Sequence, residues 1–124
     1  MNLVDSSGWL EYFAEGKNAD FFSNAIQNSD ELIVSTINIY EVFKRILQQR
    51  DENSAFQAIA VMQQGQVVDI TSTVALNAAK NSIDFKLPMA DSIIYTTAQI
   101  HNAVLWTQDS HFKNLAGVKF KSKR

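Results

Sequence analysis

Two kinds of hydrophobic pattern alternate along this chain. Asn2-Leu3-Val4, Leu32-Ile33-Val34 and Val104-Leu105-Trp106 are short, continuous apolar runs, as strands covered on both faces require. Between them, apolar residues recur at intervals of three and four, the spacing of a helix face. The first strand is predicted over about 2–5, followed by helical segments within about 8–15 and 19–28. A strand over 32–35 leads into a helix from about 38 to 50, then a helix over about 53–64 and a strand over 67–70. A helix over about 72–84 carries Val74, Ala75, Ala78 and Ala79 at helical spacing. After Pro88 a further helix runs to about 101, with Ile93, Ile94, Thr97 and Ala98 on one face. Val118-Lys119-Phe120-Lys121 alternates apolar and charged, as an edge strand with one wet face does.

Strands separated by helices predict a mainly parallel sheet covered on both sides, with right-handed crossovers. The expected fold is α/β: a three-layer α/β/α domain of about five strands. No repeat, low-complexity tract or linker interrupts the pattern, so residues 1–124 read as one domain.

Acidic residues add chemistry to this frame. Asp5 ends the first apolar run, Glu41 lies shortly beyond the second, and Asp109 follows Val104-Leu105-Trp106-Thr107. Asp91 follows Leu87-Pro88-Met89-Ala90. In an open parallel sheet, ligands bind outside the carboxyl ends of the strands, so acids placed there can converge. A group of carboxylates without a lysine or arginine beside each member points to a divalent metal site.

Each acid also has an ordinary structural explanation. Asp5 can cap the helix that follows it, and Glu41 can pair with Lys44 or Arg45 at i+3 and i+4. Asp91 falls in the first turn of a helix, where the helix dipole favours a carboxylate. Asp109 can cap the turn Ser110-His111-Phe112. These local explanations leave the joint placement of the four acids unexplained.

Composition narrows the alternatives. With 46% hydrophobic residues the chain can build a core, and its net charge of −2 does not by itself mark a nucleic-acid binder. From Ser110 to Arg124, however, there are five cations (Lys113, Lys119, Lys121, Lys123, Arg124) and no acid. Absence of cysteine excludes disulfides, thiolate zinc sites and a cysteine nucleophile. His101 and His111 form no H-E-x-x-H pattern, and neither a G-x-S-x-G elbow nor a phosphate-binding glycine loop is present. No cationic, apolar N-terminal segment marks a signal peptide, and no run is long enough to span a bilayer, so a cytoplasmic protein is expected.

Taken together, Asp5-Ser6-Ser7-Gly8-Trp9-Leu10, Glu41, Leu87-Pro88-Met89-Ala90-Asp91 and Thr107-Gln108-Asp109-Ser110-His111-Phe112 resemble the PIN domain. Within that family the chain is most similar to VapC-type toxins of bacterial toxin–antitoxin pairs, over essentially its whole length. The resemblance implies a metal-dependent endoribonuclease held inactive by a cognate antitoxin, with RNA as substrate and pairing as a homodimer. The four family acids fall on Asp5, Glu41, Asp91 and Asp109. The assisting hydroxyl falls on Thr107, with Ser7 as a second possibility.

The expected metal is Mg²⁺ or Mn²⁺, held by Asp5 and Asp91 with Asp109 sharing the site or orienting water. Glu41 is expected to position the attacking water or accept its proton. Lys44, Arg45, Lys86 and the C-terminal lysines are candidate contacts for flanking phosphates. The helix over 38–50 and the helix after Pro88 are candidate surfaces for a partner or a second copy. Two alternatives stay open: a catalytically silent PIN-like module, and a phosphoacceptor receiver domain. The latter lacks both an acidic pair after the first strand and a lysine after the last core strand.

Overall fold

The computed structural model describes all 124 residues. Five strands form one sheet: β1 (Asn2–Val4), β2 (Leu32–Ser35), β3 (Gln66–Val68), β4 (Val104–Thr107) and β5 (Val118–Phe120). Every pairing is parallel, and the order across the sheet is β3-β2-β1-β4-β5. Six helices connect them: α1 (Ser6–Phe13), α2 (Ala19–Ile26), α3 (Thr36–Gln49), α4 (Glu52–Met62), α5 (Ser72–Phe85) and α6 (Met89–Ile100).

The two-residue period of a strand sorts the core into two halves. Val4, Val34 and Trp106 point to one face, where they pack with Trp9, Phe22, Val42 and Met62 from α1 to α4. Their neighbours Leu3, Ile33 and Leu105 point to the other face, against Leu87, Ile94, Tyr95, Ala98 and Phe112. The apolar runs are continuous because both sides of these strands are buried.

Topology then fixes where a site can form. The chain moves outward from β1 to β2 to β3, and α5 and α6 return it to β4 on the opposite side of β1. The strand order therefore reverses between β1 and β4. In open α/β sheets the crevice at the carboxyl ends of such a pair is where ligands bind. Asp5 follows β1 and Asp109 stands two residues beyond the end of β4.

Several element ends differ from the sequence expectation, each for a local reason. Strand β1 stops at Val4 because the Asp5 carbonyl already accepts from the Gly8 and Trp9 amides, opening α1 at Ser6. Helix α3 begins at Thr36, two residues early, because Ser35 and Asn38 cap it reciprocally. Strand β3 ends at Val68 rather than residue 70, as pairing with β2 ends at Ser35↔Val68. Strand β5 ends at Phe120, although the Lys121 amide still donates to the Thr107 carbonyl.

Close packing of α1 depends on Gly8. A Cβ there would stand 2.6 Å from two Phe22 ring carbons and 2.7 Å from Val4 Cγ1. Helix α6, expected as a partner surface, is instead mostly buried against α5 and the sheet, from Ser92 through Ala98 apart from half-buried Ile93. Its amphipathic pattern served the core. The prominent exposed apolar side chains are Leu76 and Ile83 on α5, 70% and 79% accessible, and Met89 at the start of α6. Ala75 and Ala79 of α5 are likewise exposed, while Val74 and Ala78 are buried.

Candidate active site

Asp5 does not use its side chain to cap α1. It is 2% accessible, and its Oδ2 accepts from Ser7 Oγ at 2.6 Å and from Thr107 Oγ1 at 3.0 Å. Both hydroxyls land on one oxygen, leaving Oδ1 without a hydrogen-bond partner. The Asp5 carboxyl is pushed up to about 6, chiefly by burial and in part by the charges of Asp91 and Asp109, against the lowering effect of the two hydroxyls.

Thr107 is fully buried at the end of β4 and links two acids. Its hydroxyl donates to Asp5 and accepts from the Asp109 amide at 2.9 Å. The candidate hydroxyls Thr107 and Ser7 thus meet at the same carboxylate oxygen. Asp109 does cap the 3₁₀ turn Ser110–Phe112, its Oδ1 accepting from the His111 amide at 2.9 Å. Here the ordinary structural role and the site placement coexist.

Glu41 forms no ion pair with Lys44 or Arg45. Lys44 lies over the Tyr40 ring, 5.6 Å from its centroid. Glu41 Oε1 instead accepts from Ser6 Oγ at 2.7 Å, and Ser6 Oγ accepts from Asn38 Nδ2 at 2.9 Å. Asn38 Oδ1 in turn accepts from the Ser35 amide at 3.1 Å. The buried relay Ser35–Asn38–Ser6 joins the start of α3 to the start of α1 and fixes the orientation of Glu41. Partial burial raises the Glu41 carboxyl, Ser6 lowers it, and the Asp91 and Asp109 charges add to the rise.

The tightest cluster consists of Asp91, Asp109 and His111, which each offer a ligand atom within 4.8 Å of the others. His111 Nδ1 lies 2.8 Å from Asp91 Oδ2 and 3.3 Å from Asp109 Oδ1. Burial raises the Asp91 carboxyl, and the hydrogen bond to His111 opposes that. The same hydrogen bond raises the His111 imidazole, assisted by the Asp109 charge. Apart from His111, no cationic side chain pairs with any of the acids, and no lysine or arginine in the chain forms a salt bridge.

All four sequence-derived acids therefore converge at the carboxyl edge of the sheet. Asp91 and Asp109 offer ligand atoms within 4.8 Å of one another, and Asp5 and Glu41 are close enough to feel both charges. This donor set fits a hard divalent cation: it is mostly carboxylate oxygen, it is crowded, and Asp5 Oδ1 is free. Sequence patterns missed three supporting residues. His111, read in the sequence only as forming no zinc pattern, bridges Asp91 and Asp109. Asn38 was detectable from its spacing to Ser35; Ser6 carries no such signal.

These features agree with comparisons to known proteins. Residues 3–118 match the PIN domain family model. No curated protein matches the chain. Among solved structures, a toxin–antitoxin complex from Klebsiella pneumoniae is 22% identical, with a TM-score of 0.81 and 96% of each chain covered. VapC20 from Mycobacterium tuberculosis, described as a sarcin–ricin loop cleaving toxin, is 12% identical with a TM-score of 0.78. That alignment covers 94% of this chain and 95% of the other. A DNA-bound VapBC complex from Salmonella typhimurium is 13% identical with a TM-score of 0.74, covering 98% of each chain. At these identities the structural likeness speaks to the fold, and the family model covers nearly the whole chain: this protein belongs to the PIN domain family.

Proposed function

We propose that this protein is a metal-dependent endoribonuclease and the toxin of a toxin–antitoxin pair, acting in the cytoplasm as a homodimer. The observation that carries this reading is the convergence of Asp5, Glu41, Asp91 and Asp109 at the sheet's switch point, with no lysine or arginine neutralising them. Carboxylates gathered in this way repel, and a divalent ion relieves that repulsion. The structural neighbours include antitoxin complexes and an RNA-cleaving toxin, which supports the same class.

Asp91 and Asp109 would hold Mg²⁺ or Mn²⁺ together with Asp5, whose free Oδ1 is the available ligand atom. Such an ion, when bound, supplies charge to polarise the scissile phosphate and lowers the pKa of the attacking water. Thr107 and Ser7 hold Asp5 in one orientation, and Thr107 also fixes the main chain at Asp109. Glu41, steered by Ser6, accepts a proton from the attacking water through its other oxygen. Its raised pKa makes it a better base near neutrality than an exposed carboxylate. Water as nucleophile leaves a 5′-phosphate and a 3′-hydroxyl and needs no RNA 2′-hydroxyl.

An antitoxin has two features to engage. One is the acidic edge, where an arginine or lysine would compete with metal. The other is a groove of about 350 Å³ away from the acids, between α1, α3 and α4, lined in part by Leu10, Phe13, Ile46, Ala58 and Val61. The exposed Leu76 and Ile83 on α5 are the surface offered to a second copy.

Incubating purified protein with a pool of cellular RNAs, with Mn²⁺ or with EDTA, tests the reading. Discrete fragments bearing 5′-phosphates and vanishing in EDTA are expected. RNA bound but left intact would identify a catalytically silent module instead.

A further inference from the structure

Residues Lys121–Arg124 leave β5 at the same edge of the sheet as the acids, because every strand runs in one direction. Their attachment there is specific. The Lys121 amide donates to the carbonyl of Thr107, the residue whose hydroxyl holds Asp5. Asn18, only 4% accessible, divides its side-chain amide between Gln108 Oε1 at 3.0 Å and the Ser122 carbonyl at 2.9 Å. Gln108 in turn reaches the Ser7 carbonyl at 3.4 Å, and the Arg124 amide donates to Ser122 Oγ at 3.1 Å. A buried asparagine thus ties this segment to the loop that carries Asp109.

A merely solvated basic stretch has no need of such anchoring. Here Lys121, Lys123 and Arg124 are exposed and none is paired with a carboxylate. No acid occurs between Ser110 and Arg124. The arrangement sets a row of unpaired cations beside a group of carboxylates, the division of charge that a polyanion with one metal-held phosphate requires.

We propose that Lys121, Lys123 and Arg124 form a phosphate-binding rail for single-stranded RNA flanking the cleaved bond, clasped to the active-site edge by Asn18. This inference rests on the ribonuclease reading. The rail binds backbone phosphates and contributes affinity without base selectivity. Each lost phosphate contact should lower the salt dependence of single-strand binding by about 0.7 in the log–log slope.

The test is fluorescence anisotropy of a labelled single-stranded RNA with full-length protein in EDTA, across a range of salt. The K121Q/K123Q/R124Q variant should bind at least tenfold more weakly, with a log–log slope shallower by about 2. K80Q, on exposed α5, should match wild type. N18A should fall between them, and because it alters a buried residue it is read only alongside its melting curve. With metal present, the triple variant should show a raised KM and a kcat within twofold of wild type. If the triple variant binds RNA with unchanged affinity and salt slope, the rail is wrong even where wild type cleaves. If wild type does not cleave at all, it is the ribonuclease reading that fails, and the anisotropy result still decides the rail.

Discussion

Thr107 donates its hydroxyl to Asp5 at 3.0 Å and accepts from the Asp109 amide at 2.9 Å, so one buried side chain sets two acids just past the ends of neighbouring strands. Thr107→Val keeps the shape and removes both bonds. It leaves the Asp109 amide without that acceptor and Asp5 with Ser7 alone. The expected cost is about 1–3 kcal/mol of stability, together with weaker divalent-ion binding. Thr107→Ser should recover most of both, as measured by denaturant unfolding and Mn²⁺ titration.

The pKa of Asp5 makes stability depend on pH in a definite direction. Burial raises the carboxyl from 3.8 in the unfolded chain to about 6 in the fold. The folded protein therefore holds a proton that the unfolded chain releases, and stability falls as pH rises from about 4 to above 6. That rise corresponds to about 3 kcal/mol lost by neutral pH without metal. Glu41, Asp91 and His111 are also raised, so they act with the same sign. Thermal melts of metal-free wild type should be higher at pH 5 than at pH 7.5, with Asp5→Asn flattening the difference. A wild-type melt that rises over this interval, with Asp5→Asn following the same curve, would contradict the assignment.

Ser6 separates orientation of Glu41 from its chemistry. Ser6→Ala removes the donor that fixes Glu41 Oε1 and leaves Asn38 Nδ2 without its partner. Cleavage should slow by about tenfold with little change in KM, whereas Glu41→Gln should lose about 10²–10⁴-fold in kcat. Equal losses in both variants would mean that Ser6 does more than steer Glu41.

Gly8 tests the packing that brings α1 onto the sheet. A methyl group at this position meets the Phe22 ring and Val4, both in the core, so neither can swing into solvent. Gly8→Ala should cost about 1–3 kcal/mol through overpacking, seen as a lower melting temperature. Because α1 starts at Ser6, ion affinity should fall with it.

The pattern of the strands carried most of the architecture. Leu3 and Val4, Ile33 and Val34, and Leu105 and Trp106 are buried on opposite faces, so uninterrupted apolar pairs signalled a sheet covered on both sides. The same logic placed Asp5 and Asp109 at the exits of β1 and β4. Less accessible was how the side chains turn. Asp5 stands at a capping position yet its carboxylate takes the hydroxyls of Ser7, two residues on, and of Thr107, 102 residues away, and the second partner has no local signal. The 20-residue separation of Asp91 and His111 is closed only by the turn after Asp109. Helix α6 showed an apolar face that a partner would also use, and its packing onto the sheet through Ile94, Tyr95 and Ala98 reveals it as core.

The central claim is that these acids hold a divalent ion that RNA cleavage requires, with Glu41 acting beside the ion rather than on it. Mn²⁺ binding and RNA cleavage measured on the same preparations of wild type, Asp91→Asn and Glu41→Gln test it most directly. Wild type should bind Mn²⁺ and cleave, Asp91→Asn should lose both, and Glu41→Gln should keep the ion while losing cleavage. Wild-type cleavage that persists in EDTA, or a folded Asp91→Asn protein that binds Mn²⁺ and cleaves as wild type does, would contradict the account.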